Sequence, residues 1–204
     1  MTKPGPPHRI YQPTEFNKLP WKNGLGFTTE LLRQPAQGDV FDWRLSIARV
    51  DQDGPFSNFS GYQRTLVLLG GNGITLIHRD EEQQYLGQRL ASASFAGEGP
   101  TSATLKQGPI EDFNIITRTG ICIAQTHCDA DLTGIEIDSK AAQLLVYASG
   151  DDLAINLGRT TTLPLPGGHL LAVSPQQAMH CVIEGKGYIA VEIHYTSESG
   201  TEQQ

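Results

Sequence analysis

The sequence predicts an all-β protein made of two barrel-like halves. Three observations carry that reading. Short β-rich runs are set apart by Gly, Pro, Asn and Asp at hairpin-like intervals; no window keeps apolar residues at helical spacing for three turns; and one strand–turn–strand passage is echoed later in the chain.

The runs are Phe27–Leu32, Trp43–Val50, Thr65–Leu69, Ile74–His78, Thr101–Leu105, Phe113–Thr117, Ile121–Thr126, Leu144–Tyr147, Leu153–Leu157, His169–Val173 and Tyr188–His194. Their spacing is that of a sandwich or barrel. A short helical turn is expected over Thr14–Leu19, and the polar tail from Ser197 to Gln204 is expected to fray. The echo aligns Thr65–Ile77 without a gap on Leu144–Asn156. Each copy reads as a strand, a Gly-centred hairpin turn and a returning strand.

A chain of 204 residues forms one large domain or two small packed ones, and either buries a core without disulfides. Cys122, Cys128 and Cys181 are odd in number and lack CxxC spacing, so they read as buried thiols in a reducing compartment. The stretch Met1–Tyr11 has no apolar core of the kind a secretory signal needs, and runs such as Leu66–Leu69 are far short of a bilayer span. Cytoplasmic residence is expected, with no membrane partner. A net charge of −7 without a Lys/Arg cluster would repel a phosphate backbone, so nucleic acid is not an expected partner. A single arginine in a shielded pocket can still collect a small anion.

The informative residues crowd into three blocks: Trp21–Glu30, Phe41–Val50 and Gly54–Arg64. In the second, alternation puts Trp43, Leu45 and Ile47 on one face and Arg44, Ser46, Ala48 and Val50 on the other. The first face is packing. The second is small and polar enough to leave a cavity. Asn23-Gly24-Leu25-Gly26 is a Gly-rich turn feeding a strand, hence neither a dinucleotide fingerprint nor a phosphate loop. It reads either as an ordinary turn or as a close backbone approach to a ligand, with Asn23, Thr28 and Glu30 offering hydrogen bonds. The six histidines, His8, His78, His127, His169, His180 and His194, show neither HxH nor HExxH spacing.

The three blocks, together with Asp112-Phe113-Asn114-Ile115-Ile116-Thr117-Arg118, resemble the HutD/Ves family, whose signature runs through WKNGGGxTxE, WRxSxAxV, GPFSxFPGxxR and DFNVMTR. Leu25 stands where that family has a middle Gly and Ser60 where it has Pro, which puts substrate identity in question. Pro175 followed five residues later by His180 is similar to the second cupin motif, with Gln177 in place of its Gly. The resemblance implies two cupin-like, RmlC-type jelly-roll halves packed as a bicupin. Residues 1–119 would carry the pocket, and residues 120–204 would be mainly scaffold with shared strands.

On that frame the carboxylate slot of a cupin metal site falls on Arg64, and its histidine slots fall on Asn58 and Ser60, or Ser57 and Phe59. The corresponding slot in the second half is Gln143, which leaves His180 without partners. A divalent cation beside a fixed guanidinium is disfavoured, so no metal and no other cofactor is expected. Arg64 would face the barrel interior, where a guanidinium needs an anion or several acceptors; the alternative is an internal salt bridge, for instance with Glu30. The ligand-binding set implied is Arg64, Asn23, Gly24, Gly26, Thr28, Glu30, Ser46, Phe56, Ser57 and Phe59.

The function expected is metal-independent binding of a small carboxylate, urocanate or formylglutamate by family resemblance, in a regulatory or accessory role in histidine utilisation or stress response. A metal-free cupin isomerase or hydrolase using Glu30 or a histidine as general base is the alternative. A homodimer built on a barrel edge is a third.

Overall fold

The structure, a computed structural model, describes residues 6–21, 27–79, 82–158 and 161–196. In chain order the strands are β1 (His8–Tyr11), β2 (Asn17–Pro20), β3 (Phe27–Gln34), β4 (Trp43–Val50), β5 (Gly54–Pro55), β6 (Tyr62–Gly70), β7 (Ile74–Ile77), β8 (Gln83–Leu86), β9 (Ser92–Ala96), β10 (Ser102–Leu105), β11 (Ile110–Arg118), β12 (Cys122–Cys128), β13 (Gly134–Ser139), β14 (Gln143–Ala148), β15 (Leu153–Leu157), β16 (Thr161–Leu165), β17 (Leu170–Val173), β18 (Met179–Glu184) and β19 (Tyr188–Tyr195). They pair antiparallel in four sheets, ordered β2-β3-β4-β11-β6-β9, β5-β10-β7-β8, β1-β17-β14-β19-β12 and β13-β18-β15-β16.

The strict alternation of β4 shows how the sheets stack. Trp43 and Leu45 join Val67, Phe113 and Ile115 against Leu145, Tyr147, Ile189 and Val191, a central core between the six- and five-stranded sheets. Val50, Leu66 and Leu68 pack with Ile74 and Leu76 between the six-stranded sheet and the first four-stranded one. Leu144, Val146, Ile155, Cys181 and Tyr188 fill the space between the other two. Two sandwiches therefore lie back to back. Strand β1, from the start of the chain, closes the edge of the second by pairing with β17.

The helical turn expected over Thr14–Leu19 is confined to a 3₁₀ turn at Pro13–Glu15. It is tied by Arg9, which donates to Glu15 Oε1 at 2.6 Å, and by the Gln12 amide, which donates to Glu15 Oε2 at 2.9 Å. Beyond it the chain extends as β2, because the residue before a proline is pushed from the helical region and Leu19 precedes Pro20.

The two echoed passages are strand–turn–strand, but neither closes a hairpin. β6 and β7 belong to different sheets, as do β14 and β15, so each glycine turn carries the chain across its sandwich. At the first crossing Gly71 has φ +99°, and a Cβ there would lie 2.6 Å from the Pro109 carbonyl oxygen, so only glycine fits.

A bulge shifts the echo by one residue. β11 pairs Glu111 with Gly70 but Asp112 with Leu68, which leaves Leu69 unpaired, while β14 runs against β19 without interruption. A one-residue slip exchanges the faces of a strand. Arg64, Leu66 and Leu68 therefore match Leu144, Val146 and Ala148, and the counterpart of Arg64 is Leu144, fully buried, rather than Gln143. Gln143 lies toward the surface and donates to Ser174 Oγ at 2.9 Å.

His180 is an exposed strand histidine, as its lack of metal-site partners in the sequence suggests. Met179, Cys181 and Ile183 point into the second sandwich, so His180 between them points out and pairs with Asp138 Oδ1 at 2.8 Å. Among the described residues no helix is long and apolar enough to cross a membrane.

If Leu144 holds the place of Arg64, Leu144→Ala should cost about 2–5 kcal/mol in urea unfolding, and Gln143→Ala within about 0.5 kcal/mol of nothing. Equal costs would contradict the shifted correspondence.

Candidate functional site

Between its sheets the first sandwich holds a cavity of about 690 Å³. Its floor is a grid set by strand register. Across β4, β11 and β6 the rows read Arg44–Ile116–Arg64, Ser46–Asn114–Leu66 and Ala48–Asp112–Leu68. Period-two alternation turns all of these side chains to one side, and their neighbours Leu45, Phe113 and Val67 to the central core.

Arg64 is 7% exposed. Its Nη2 donates to Asn114 Oδ1 at 2.7 Å, and Nη1 makes a long contact of 3.5 Å to the Ser57 carbonyl. Three phenyl rings surround the guanidinium, with Cζ 5.1 Å from the centroid of Phe56, 5.3 Å from Phe59 and 5.2 Å from Phe95. Nε is buried without a hydrogen-bond partner, and no carboxylate oxygen among the described residues comes within 4.0 Å of the group. Burial pulls its pKa down to about 10, against the attraction of Asp112 and with the repulsion of Arg44.

Asp112 is 1% exposed and lies on the same wall. Asn114 donates its Nδ2 to Asp112 Oδ1, so one amide links carboxylate and guanidinium while keeping them apart. Burial pushes the carboxyl up to about 7, opposed by Arg64 and by the Asn114 hydrogen bond and reinforced by Glu111. Arg44 completes the set. Its Cζ is 5.1 Å from the Phe59 centroid, its Nε is buried without a partner, and burial lowers its pKa, countered mainly by Glu30.

Of the residues singled out in the sequence, Arg64, Thr28, Ser46, Phe56, Ser57 and Phe59 line this one cavity. Thr28 Oγ1 accepts from Trp21 Nε1 at 2.9 Å, which fixes the indole at the wall. Glu30 faces Ser46 across the β3–β4 pair but is not part of the lining, and it makes no salt bridge to Arg64. Asn23, Gly24 and Gly26 lie outside the described residues. None of the six histidines lines the cavity. His78 stands just behind it, bonded to Thr101 Oγ1 at 3.1 Å and 5.0 Å from the Phe95 ring. Trp43 is core, at 2% exposure.

Sequence reasoning places Arg44 on the cavity face without counting it as a ligand, and it misses Asp112 and Asn114. The signal is in β11: Asp112 and Asn114 stand at alternate positions and must share a face, and that face meets Arg64.

The donors present do not fit the metal centre of a cupin. The carboxylate slot is a guanidinium, Ser57, Asn58, Phe59 and Ser60 supply no imidazole, and no group of three His, Cys, Asp or Glu among the described residues is placed to hold an ion.

Comparison with known proteins agrees with the fold. The HutD family model matches residues 13–191. A 21.2 kDa protein from the hutC 3′ region of Pseudomonas putida, itself uncharacterised, is 33% identical over 189 residues, covering 86% of this chain and 96% of its own. Protein Ves of Escherichia fergusonii is 35% identical over 138 residues, 66% of this chain and 71% of that protein. HutD from Pseudomonas fluorescens SBW25, whose structure was determined in a formate condition, superposes with a TM-score of 0.81 at 28% identity, over 94% of this chain and all of that one. More distant chains share the fold alone: protein Ylba of E. coli at a TM-score of 0.64 and 12% identity, and hazelnut vicilin at 0.57 and 8%. The fold is a cupin-like jelly roll, and the chain belongs to the HutD family.

The raised carboxyl has a consequence for stability. Between the unfolded value near 3.9 and the folded value near 7, only the folded state keeps the Asp112 proton, so each step of one in pH across that window removes about 1.4 kcal/mol of stability. Asp112→Asn should therefore equal the wild type near pH 4 and exceed it above pH 7 in denaturant midpoint. A mutant deficit that grows with pH would reverse this account.

Proposed function

We propose that this HutD-family protein binds a small anionic metabolite, a carboxylate, in the cavity of its first sandwich without the help of a metal. The observation that carries the reading is Arg64: a buried guanidinium held by neutral acceptors and phenyl rings, with no carboxylate within ion-pairing distance among the described residues. A buried cation with capacity to spare is stabilised by an anion that brings acceptors to it. Arg44 adds a second guanidinium on the same floor, and Ser46, Ser57, Thr28 and Asn114 add polar contacts.

Several features favour binding over turnover. Among the described residues no hydroxyl or thiol on the wall is hydrogen-bonded to a histidine or carboxylate, the arrangement a nucleophile needs. The general bases suggested by sequence, Glu30 and the histidines, are not on the wall. A binding protein of this kind would serve a regulatory or accessory role in histidine utilisation, the setting suggested by its relatives' names, or in a stress response. Urocanate and formylglutamate are the first ligands to try, with formate as the minimal carboxylate.

Titration calorimetry decides the matter. A hydrogen bond to a charged group is worth about 1.5–3 kcal/mol, so Arg64→Ala should weaken carboxylate binding about 10- to 150-fold while the variant stays folded. Unchanged affinity in a folded Arg64→Ala protein, or conversion of the ligand to product, would overturn the reading.

A further inference from the structure

The cavity contains one group that anion binding by Arg64 alone does not require. Asp112 is a carboxyl buried on the cavity wall, and a carboxylate there opposes the entry of an anion. It is coupled to the anion site through a single amide, since Arg64 Nη2 donates to Asn114 Oδ1 and Asn114 Nδ2 donates to Asp112 Oδ1. Asn114 is buried and pinned between them.

Resting on the anion-binding reading above, we propose that the cavity takes up its anion together with one proton, which is held by Asp112. The logic is competition for one positive charge. In the empty cavity Asp112 is the anion nearest Arg64 on the floor, and the attraction between them favours the ionised carboxyl. An incoming carboxylate takes that guanidinium as its own partner. The Asp112 charge is then left in a closed space with a second negative charge beside it, and both burial and repulsion favour its neutral form. One O–H bond forms on Asp112 with a proton from solvent, and no bond in the ligand breaks. The protonated carboxyl becomes a donor, which gives the cavity a hydrogen bond that a permanent carboxylate could not offer.

The other charges around Asp112 fit this arrangement. Its neighbours across the ladders are Ala48 on β4 and Leu68 on β6; Arg64, which acts on it, and Arg44 both stand two rows along the same floor, opposite Ile116. Asp51 and Asp53 line the open rim, where both are exposed, Glu111 is its neighbour on the opposite face of β11, and Glu30 on β3 acts on Arg44. On the side of the facing sheet stand Asp53, bonded to the Leu105 amide, and His78, packed against the Phe95 ring. Among these described groups Asp112 is the acid fully enclosed with the guanidinium, and its raised pKa near 7 places the exchange in the neutral range.

The test is a calorimetric titration of the whole protein with formate from pH 5.5 to 8.5. Formate stays ionised throughout, so any proton taken up belongs to the protein. Below pH 7 affinity should be nearly constant. Above it, affinity should fall toward tenfold per pH unit, and the dependence of the heat on buffer ionisation should report close to one proton absorbed per formate bound. Asp112→Asn should bind formate with a flat profile, no proton uptake, and at pH 8 at least the wild-type affinity.

Binding by the wild type that is flat in pH and proceeds without proton uptake would overturn the coupling while leaving the anion site intact. So would an Asp112→Asn variant that keeps the wild-type slope. No formate binding at any pH would overturn the anion site itself and the coupling with it. Should Asp112→Asn fail to fold, the proton count of the wild type decides alone.

Discussion

The constraint on which this structure depends is the burial of a guanidinium that cannot give up its charge. Arg64 sits among three phenyl rings with a single strong side-chain acceptor, and even a pKa drawn down to about 10 leaves it protonated at any physiological pH. Everything nearby serves to make that tolerable. The rings offer their negative faces, Asn114 offers an oxygen and passes the interaction to Asp112, and the space in front remains open. A cavity beside an under-coordinated cation is the arrangement on which the proposed anion binding rests.

Much of this is legible in the sequence because period-two alternation is a strong signal when both faces are distinct. Trp43–Val50 reads correctly at both ends and on both faces, since Trp, Leu and Ile alternate with Arg, Ser and Ala. Leu153–Leu157 is equally plain. Strands at sheet edges are harder. Gln83–Leu86, Ser92–Ala96, Gly134–Ser139 and Thr161–Leu165 all lie on edges, where one side meets solvent and small or polar residues suffice, and Pro164 is tolerated on β16 because an edge strand can spare an N–H. Met179–Glu184 alternates clearly, but its histidine draws the eye away from the period.

The site is legible in part for a different reason. Residues standing together in a motif, such as Phe56, Ser57, Phe59 and Arg64, point to one another. Asp112 and Asn114 reach Arg64 only through strand order, because β11 inserts between β4 and β6. The sequence pattern shows that two polar side chains share a face. It does not show which strand lies beside them. The same blindness hides the bulge at Leu69, since nothing in a gapless alignment marks a residue that drops out of the ladder.

That bulge bears on how one fold came to hold a hollow half and a solid half. In the second sandwich the positions of Arg64, Asp112 and Asn114 are taken by Leu144, Tyr188 and Ala190, all buried and all apolar. Leucine and tyrosine can meet the facing sheet directly and fill the interior, and the one buried acid on that face of β19, Glu192, is paired with His127 Nε2 at 3.0 Å. The first sandwich carries a cation and an acid at the same places. Both are buried and need polar partners, which Asn114 supplies to each. The cavity thus lies over the charged part of the floor, and the five-stranded sheet of the second sandwich packs against the back of that floor through the central core.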